Sequence, residues 1–518
     1  MRPWPLRESS LWVFILHWSI LSAYAEVHLP SMVSTTGISR PIRGEYRKPH
    51  EDPFSENNSR LNRIEGQTLE PTAKLVPERT NLIDSDKLPW QWEADVRDQL
   101  DPWVHISKER VDLAEKAIER SVTAFRAQVI DGRLYVTDVR ALWFARQYTA
   151  SAKLTLLAVL RNFKGQIPDL DIVVNQGDYP VVILPKNVDH LRRLYGDVAP
   201  FALIFSPTSG PATLDLKWPD FSFMPPSGPH ELKTPRWDIA RASVLRAGSL
   251  IAWENKLDFA AWTGNTQAMP RQRLAKVARD HPEDLFVNSV FFKTPPGRLS
   301  CQQEGLGDKG GYQADKCSMS FEELCRYKYL VNVGSNGYAN KLKYLFLCNS
   351  VVLHVSDGSP NKEFFEAHLV AGMHYYAVKT PEDVPEAVRY LRDNPTVAQS
   401  IAAAGTKRMS TMDFYEVTHY LATMFKEYGQ RMNYKPVPDP RSFEVNCEDD
   451  LWRHYNIHGE LLVHLTEDNT TCLFPPDPRV PLGPPAWGGY WRGSGVECHV
   501  ANDLPEVPDA CDIPKDRY

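Results

Sequence analysis

Hydrophobic positions along this chain change their period several times, and each change marks an element. From Val111 to Phe125 the apolar residues Leu113, Ala117, Val122 and Phe125 recur at helical spacing and predict a helix. Asp131-Gly132 between two apolar stretches is a hairpin signal. Leu154–Leu160 predicts a buried helix. Beyond it, Asp171–Val174, Phe201–Phe205, Phe259–Trp262 running into Gly264, Lys328–Val333 and Val351–Val355 predict short strands. Short apolar strands between helices argue for parallel α/β sheets. Two later helices carry start signals. Thr380-Pro381 with Asp383 is a capping box with proline at the first helical position, followed by the apolar face Val384, Val388 and Leu391. Asp413 and Glu416 repeat that logic ahead of Val417, Leu421, Met424 and Tyr428.

The two ends break this pattern. Arg2 and Arg7 precede an apolar run from Leu11 to Leu21 and a small-x-small sequence, Ala23-Tyr24-Ala25. Residues 1–25 therefore predict a secretory signal peptide, or alternatively a signal anchor, in which case alone the chain meets a membrane. Residues 26–90 are polar and proline-punctuated, as in a disordered stem or linker. Residues 436–518 are proline-rich, hold Cys447, Cys472, Cys498 and Cys511, and cluster Trp487, Tyr490 and Trp491 among glycines. They predict a small disulfide-stapled module, either a cap on the core or a platform for a sugar or protein acceptor. In an exported chain eight cysteines are expected to pair rather than hold metal. Two sequons, at Asn57 and Asn469, fit a lumenal or secreted protein. A net charge of −6 leaves no basic field for nucleic acid.

Four constellations could carry chemistry. Gly334-Ser335-Asn336-Gly337-Tyr338-Ala339, followed by Lys341 and Lys343, lies between the strands at 328–333 and 351–355. A glycine-rich turn running into a helix offers free N–H groups to a diphosphate, and a lysine adds a point charge. On spacing alone the plainer reading, an ordinary loop with two solvated lysines, leads. Trp262-Thr263-Gly264-Asn265-Thr266, with Arg271 and Arg273 beyond, is a second cradle or a second plain turn. Asn175-Gln176-Gly177-Asp178-Tyr179-Pro180 places a carboxylate just past a strand, where it could act as general base or simply begin a turn. Asp169-Leu170-Asp171 is an Asp-x-Asp, the kind of pair that holds a divalent ion, yet it precedes its strand, away from the expected ligand crevice. Cys447, His454 and His458 are weaker still as a zinc set, and no metal site is assigned.

These pieces occur in an order that resembles glycosyltransferase family 90, the Rumi-type protein O-glucosyltransferases and the capsule-associated xylosyltransferases. The segment Pro168–Pro180 is similar to the family's catalytic-aspartate region, and Trp262-Thr263-Gly264-Asn265 to its aromatic-x-Gly motif. Cys325-Arg326-Tyr327-Lys328-Tyr329-Leu330 and Lys343–Ser350 are similar to its most recognisable stretch, with Glu363-Phe364-Phe365, His374-Tyr375 and Val397–Gly405 following in order. The resemblance covers roughly residues 150–430.

It implies a GT-B-like α/β fold of two Rossmann-like domains facing a cleft, within a catalytic region at 91–435. The acceptor-side half would lie at about 91–235 and the UDP-sugar-side half at about 236–435. It implies an inverting, metal-independent transfer of glucose or xylose from a UDP-sugar to a hydroxyl of a protein or glycan, in the endoplasmic reticulum or Golgi lumen. No cofactor is implied beyond the UDP-sugar co-substrate. Asp178 would deprotonate the acceptor. Gly264, Asn265, Thr266, Asn336, Gly337, Tyr338, Ala339 and Lys341 would hold the nucleotide, and Cys325–Cys348 would be a disulfide. Thr263 stands where the family has arginine, a second arginine of Rumi-type members falls near Thr266, and Lys341 replaces a third. Arg271 and Arg273 are the candidates to compensate. These losses also motivate the alternative of a non-catalytic lumenal glycan- or nucleotide-binding protein on a transferase fold.

Overall fold

The computed structural model describes residues 90–451, except 120, 122, 139–145, 187–189, 191–192, 194–200, 226–235, 293–298, 306–318, 336, 359 and 449, together with two short strands at 470–473 and 497–500. The signal segment, the stem, His454, His458 and the aromatic cluster at 487–491 lie outside the described residues. No helix among the described residues is long and apolar enough to cross a membrane.

The first half opens with helices α1 (Trp92–Leu100) and α2 (Lys108–Ala117), the hairpin β1 (Ala124–Ile130) and β2 (Arg133–Asp138), and helix α3 (Arg146–Asn162). Strands β3 (Leu170–Asn175), β4 (Phe205–Ser206) and β5 (Leu216–Lys217) follow. The second half runs α4 (Trp237–Leu250), β6 (Leu257–Asn265), α5 (Met269–Asp280), β7 (Leu285–Phe292), β8 (Leu299–Glu304), α6 (Phe321–Leu324) and β9 (Tyr327–Asn332). It continues with α7 (Leu342–Phe346), β10 (Val351–Val355), β11 (Tyr376–Val378), α8 (Val384–Asp393), α9 (Pro395–Ser410) and α10 (Phe414–Arg431). Strand β12 (Phe443–Val445) and the antiparallel pair β13 (Thr470–Leu473) and β14 (Glu497–Val500) close the order.

Two six-stranded sheets result, β12-β2-β1-β3-β4-β5 and β11-β10-β9-β6-β7-β8. The second is parallel from β11 to β7, with antiparallel β8 at its edge. The first departs from the expected parallel sheet. β1 is antiparallel to both β2 and β3, and only β3, β4 and β5 run parallel. The cause is local: Asp131 and Gly132 both adopt positive φ, 51° and 76°, and this two-residue turn returns β2 alongside β1.

Two predicted elements are shorter than expected. The helix predicted over 111–125 ends at Ala117, and Phe125 already belongs to β1. The residues here do alternate, Phe125-Arg126-Ala127-Gln128-Val129, which marks a strand, and the helical count runs over that signal; every residue of β1 is buried, Arg126 and Gln128 through hydrogen bonds to Asp171. Of the strand predicted at 201–205, only Phe205 pairs, together with Ser206. The later start signals hold. Asp383 accepts from the N–H and hydroxyl of Thr380 at 2.9 and 2.8 Å, and Asp413 accepts from the Glu416 N–H at 2.9 Å. Burying Val384, Val388 and Leu391 behind that cap contributes about 1.5–3 kcal/mol each.

The chain returns to the first sheet at its end. Phe425 and Tyr428 of α10 pack against Phe205, and the Tyr428 hydroxyl donates to the carbonyl of Asp171 at 2.8 Å. β12 then extends the sheet beside β2. In the second half the disulfide Cys325–Cys348 forms, with 4.6 Å between Cα atoms, joining the ends of α6 and α7. Buried Lys256 donates to the carbonyls of both cysteines, at 2.5 and 2.9 Å, which fixes the base of the β9–α7–β10 unit.

Candidate active site

The site lies where loops leaving β3 of the first sheet meet loops leaving β6 and β9 of the second. Asp178 occupies the turn after β3, recessed between the halves. Burial pushes its carboxyl up to about 6; Arg271 opposes the rise and Asp220 adds to it. Gly337 explains how close the halves come. A Cβ on it would stand 1.6 Å from the carbonyl oxygen of Asp178, so the turn at Gly337, the donor loop on the family resemblance, passes directly over the backbone of the candidate base. Only glycine tolerates that approach. A second contact spans the halves nearby: Ser209 and Lys362 exchange backbone hydrogen bonds of 3.2 and 2.8 Å.

The second wall carries positive charge. Gly264 turns β6 with φ +154°, and a Cβ there would meet the Trp262 ring at 3.1 Å and Lys341 Nζ at 3.3 Å. Lys341 lies over Trp262, 4.3 Å from the ring centroid, and donates to the carbonyl of Thr263. Arg271 stacks on the same ring at 5.6 Å. Its Nε donates to Gly334 O at 3.0 Å and its Nη1 to Asn265 O at 3.1 Å, so one guanidinium ties the β6 turn to the β9 turn. Asn265 and Thr266 are buried beside it, and among the described residues the Nδ2 of Asn265 has no hydrogen-bond partner. Among the described residues neither cation has a carboxylate in ion-pair contact. Burial, and then Arg271, push Lys341 well below the ordinary lysine range, and burial lowers Arg271 to about 10 with Asp178 opposing. Arg271 and Lys341, both over the Trp262 ring, form a place suited to an anion, whose charge would favour their protonated forms.

Lys343 has the opposite fate. It is fully buried, at 3.3 Å from Asp220 and 3.5 Å from Glu363, and it also donates to Asn340 O at 2.8 Å. The Tyr338 hydroxyl donates to the same Asp220 oxygen at 3.0 Å, and the N–H and hydroxyl of Ser222 bind the other. This cluster joins the donor loop to the first half. Spacing gave no sign of it: Asp220 sits in a segment without a motif, and Lys343 was expected in solvent.

Several assigned residues fall elsewhere or play smaller parts. Arg273 is two positions from Arg271 on α5, hence on another face, and is spent on Asp357 and Glu382. α7 has only five residues, so its dipole adds little and Lys341 stands at its N-cap. Ala339 is buried in the turn, and Asn336 lies outside the described residues. The Asp-x-Asp is divided. Asp171 takes both Arg126 Nε and Nη2, at 2.7 and 2.6 Å, whereas Asp169 accepts from the Asp131 N–H at 2.8 Å. Among the described residues His281, Glu283 and Asp284 also approach one another, but Asp284 is held by Arg389 and Arg392.

The glycosyl transferase family 90 model matches residues 90–481, three quarters of the chain. The chain belongs to that family. The family 90 match takes in both sheets and extends past β12, beyond the segment where the motifs lie. Among curated relatives, O-glucosyltransferase rumi of Drosophila pseudoobscura pseudoobscura is 26% identical over 297 residues, 55% of this chain and 66% of the relative. Protein O-glucosyltransferase 1 of Rattus norvegicus is 28% identical over 286 residues, 54% of this chain and 66% of the relative. The Homo sapiens protein of that name is 28% identical over 277 residues, 52% of this chain and 64% of the relative. The matches thus span slightly less than two thirds of these relatives.

Proposed function

We propose that this family 90 chain transfers a hexose, or the closely related xylose, from a UDP-sugar to a hydroxyl of a protein or glycan, with inversion at the anomeric carbon. The observation that carries the reading is the juxtaposition of Asp178, its carboxyl raised to about 6, with Arg271 and Lys341 over the Trp262 ring. Asp178 takes the acceptor proton as the hydroxyl oxygen attacks the anomeric carbon. The bond to the UDP oxygen breaks on the opposite face. Charge developing on the diphosphate is met by Lys341, by Arg271 Nη2, which neither backbone bond uses, and by amides of the turns at Gly264 and Gly337. The two sheets would be the halves of a GT-B cleft, with the nucleotide on the second. Two cations at the leaving group take the part a divalent ion plays elsewhere, and the Asp-x-Asp is committed to Arg126 and to the hairpin backbone. A fully buried disulfide favours an oxidising, lumenal compartment. The names of the relatives favour glucose and a protein acceptor.

The deciding assay is a panel of UDP-sugars scored for UDP release and for transfer to peptide and glycan acceptors. UDP-glucose or UDP-xylose should turn over, to the same rate with and without EDTA. Binding of UDP with neither hydrolysis nor transfer would favour the non-catalytic alternative, and loss of turnover in EDTA would overturn the metal-independent part.

The two arginines of α5 give a sharper prediction. Arg271→Ala weakens UDP binding about 10–100-fold by calorimetry, from the loss of charged hydrogen bonds, and Arg271→Lys falls between it and the wild type. Arg273→Ala changes the affinity by less than about threefold, because its ion pairs are at the surface. Equal losses for Arg271→Ala and Arg273→Ala would move the diphosphate site away from Trp262.

A further inference from the structure

We propose that Asn175, acting with Ser206 and Asp215, positions Asp178 by gripping the backbone on both sides of it. This rests on the reading of Asp178 as the base. The need for a grip comes from what the base lacks: among the described residues its carboxylate accepts no hydrogen bond, so its placement rests on its main chain. Asn175, the last residue of β3, is 4% exposed. Its Oδ1 accepts from the Gly177 N–H at 3.0 Å and its Nδ2 donates to the Tyr179 carbonyl at 3.1 Å. These are the residues immediately before and after Asp178. An amide N–H can only donate and a carbonyl can only accept, so the amide orientation is fixed and a carboxylate in its place would repel Tyr179 O.

The grip continues into the sheet. Asn175 Nδ2 also donates to Ser206 Oγ of β4 at 3.2 Å, and Ser206 donates to Asp215 Oδ1 at 2.7 Å. The two oxygens of Asp215 accept from the N–H groups of Val181 and Val182 at 2.7 and 2.8 Å. The loop is therefore held at 177, 179, 181 and 182 by buried side chains on or beside three neighbouring strands. A Cβ on Gly177 would lie 3.0 Å from Asn175 Oδ1 and 3.3 Å from Thr123 Oγ1, so the loop lies flat on this brace. Gly337 presses on Asp178 from the other side. Arg271 of α5, Asp220 beyond β5, Tyr338 of the donor loop and neighbouring Tyr179 face the carboxyl. None of them replaces the brace.

The test uses Asn175→Asp, Ser206→Ala and Asp178→Asn in the full chain, with UDP release from UDP-glucose, to a panel acceptor or to water, measured across pH and UDP binding measured by calorimetry. Asn175→Asp should lower kcat about 10–100-fold, as a misplaced base does, with UDP affinity kept within about twofold. Its added carboxylate should also move the acid limb of the pH profile upward. Ser206→Ala should lower kcat less and leave that limb in place; if Asn175→Asp does not fold, Ser206→Ala alone decides. Wild-type kcat in the folded brace variants, or UDP affinity falling in step with kcat, overturns the proposal. If Asp178→Asn is dead while the brace variants are fully active, only the brace fails. If Asp178→Asn keeps wild-type activity, the base assignment fails and takes the brace with it.

Discussion

Asp178→Asn abolishes most of the transferase activity, lowering kcat about 10²–10⁴-fold while UDP binding stays close to wild type. The substitution is nearly isosteric and removes only the proton acceptor. It is also benign to the fold. Burial holds the Asp178 carboxyl at about 6, above the ordinary 3.8, so the native state binds this proton more tightly than the unfolded chain does. Stability from this group therefore falls as pH rises from about 3.8 to about 6, and at neutral pH the asparagine variant loses none of it. A melting temperature at or above wild type, together with lost turnover, separates catalysis from folding. The same carboxyl sets the pH dependence. Below about pH 6 the base is protonated, and kcat/KM should fall tenfold per unit, a limb that Asp178→Asn lacks. Retention of near-full activity by Asp178→Asn would refute the assignment.

Lys343→Met destabilises the protein by about 3–5 kcal/mol, the usual consequence of removing one member of a buried ion cluster. Methionine fills the space but leaves Asp220 and Glu363 facing each other without a cation. Burial already holds Glu363 well above the ordinary glutamate range, with Lys343 working against that rise. Without Lys343 its carboxyl rises further, and keeping it ionised costs more as pH increases. The stability deficit should therefore be larger at pH 8 than at pH 5, and adding Glu363→Gln should recover part of it. Denaturant unfolding at the two pH values measures this. An unchanged midpoint would mean that the cluster does not join the halves. Turnover should fall as well, since Tyr338 of the donor loop shares Asp220 with Lys343.

Contrasting outcomes for neighbouring residues show how far the sequence could be read. Capping at Thr380 and Asp413, the hairpin turn at Asp131-Gly132 and the strands around the donor loop are local signals, and each sits in the structure where its residues place it. Phe125 misleads because it also falls at helical spacing from Val122, which hides the strand alternation Phe125-Arg126-Ala127-Gln128-Val129 that begins with it. Lys341 and Lys343 are equivalent in spacing, yet one lies over Trp262 with no carboxylate in contact among the described residues and the other is locked between two carboxylates. Arg271 and Arg273 were equal candidates until α5 turned one inward and the other out.

What the sequence determined by itself is the order of elements and the identity of the groups able to do chemistry. Capping, turn formation and hydrophobic period act over a few residues, and the family-like segments lie in a fixed order along the chain. What only the tertiary structure decided is which charges are answered and what surrounds Asp178. Asp220 reaches Lys343 across more than a hundred residues, and Asp215, just ahead of β5, reaches the loop after Asp178. Burial raises the Asp178 carboxyl only because the loops of two sheets close over it, with Gly337 lying on its backbone. Desolvation and charge pairing depend on distances in space, and separation along the chain does not encode them.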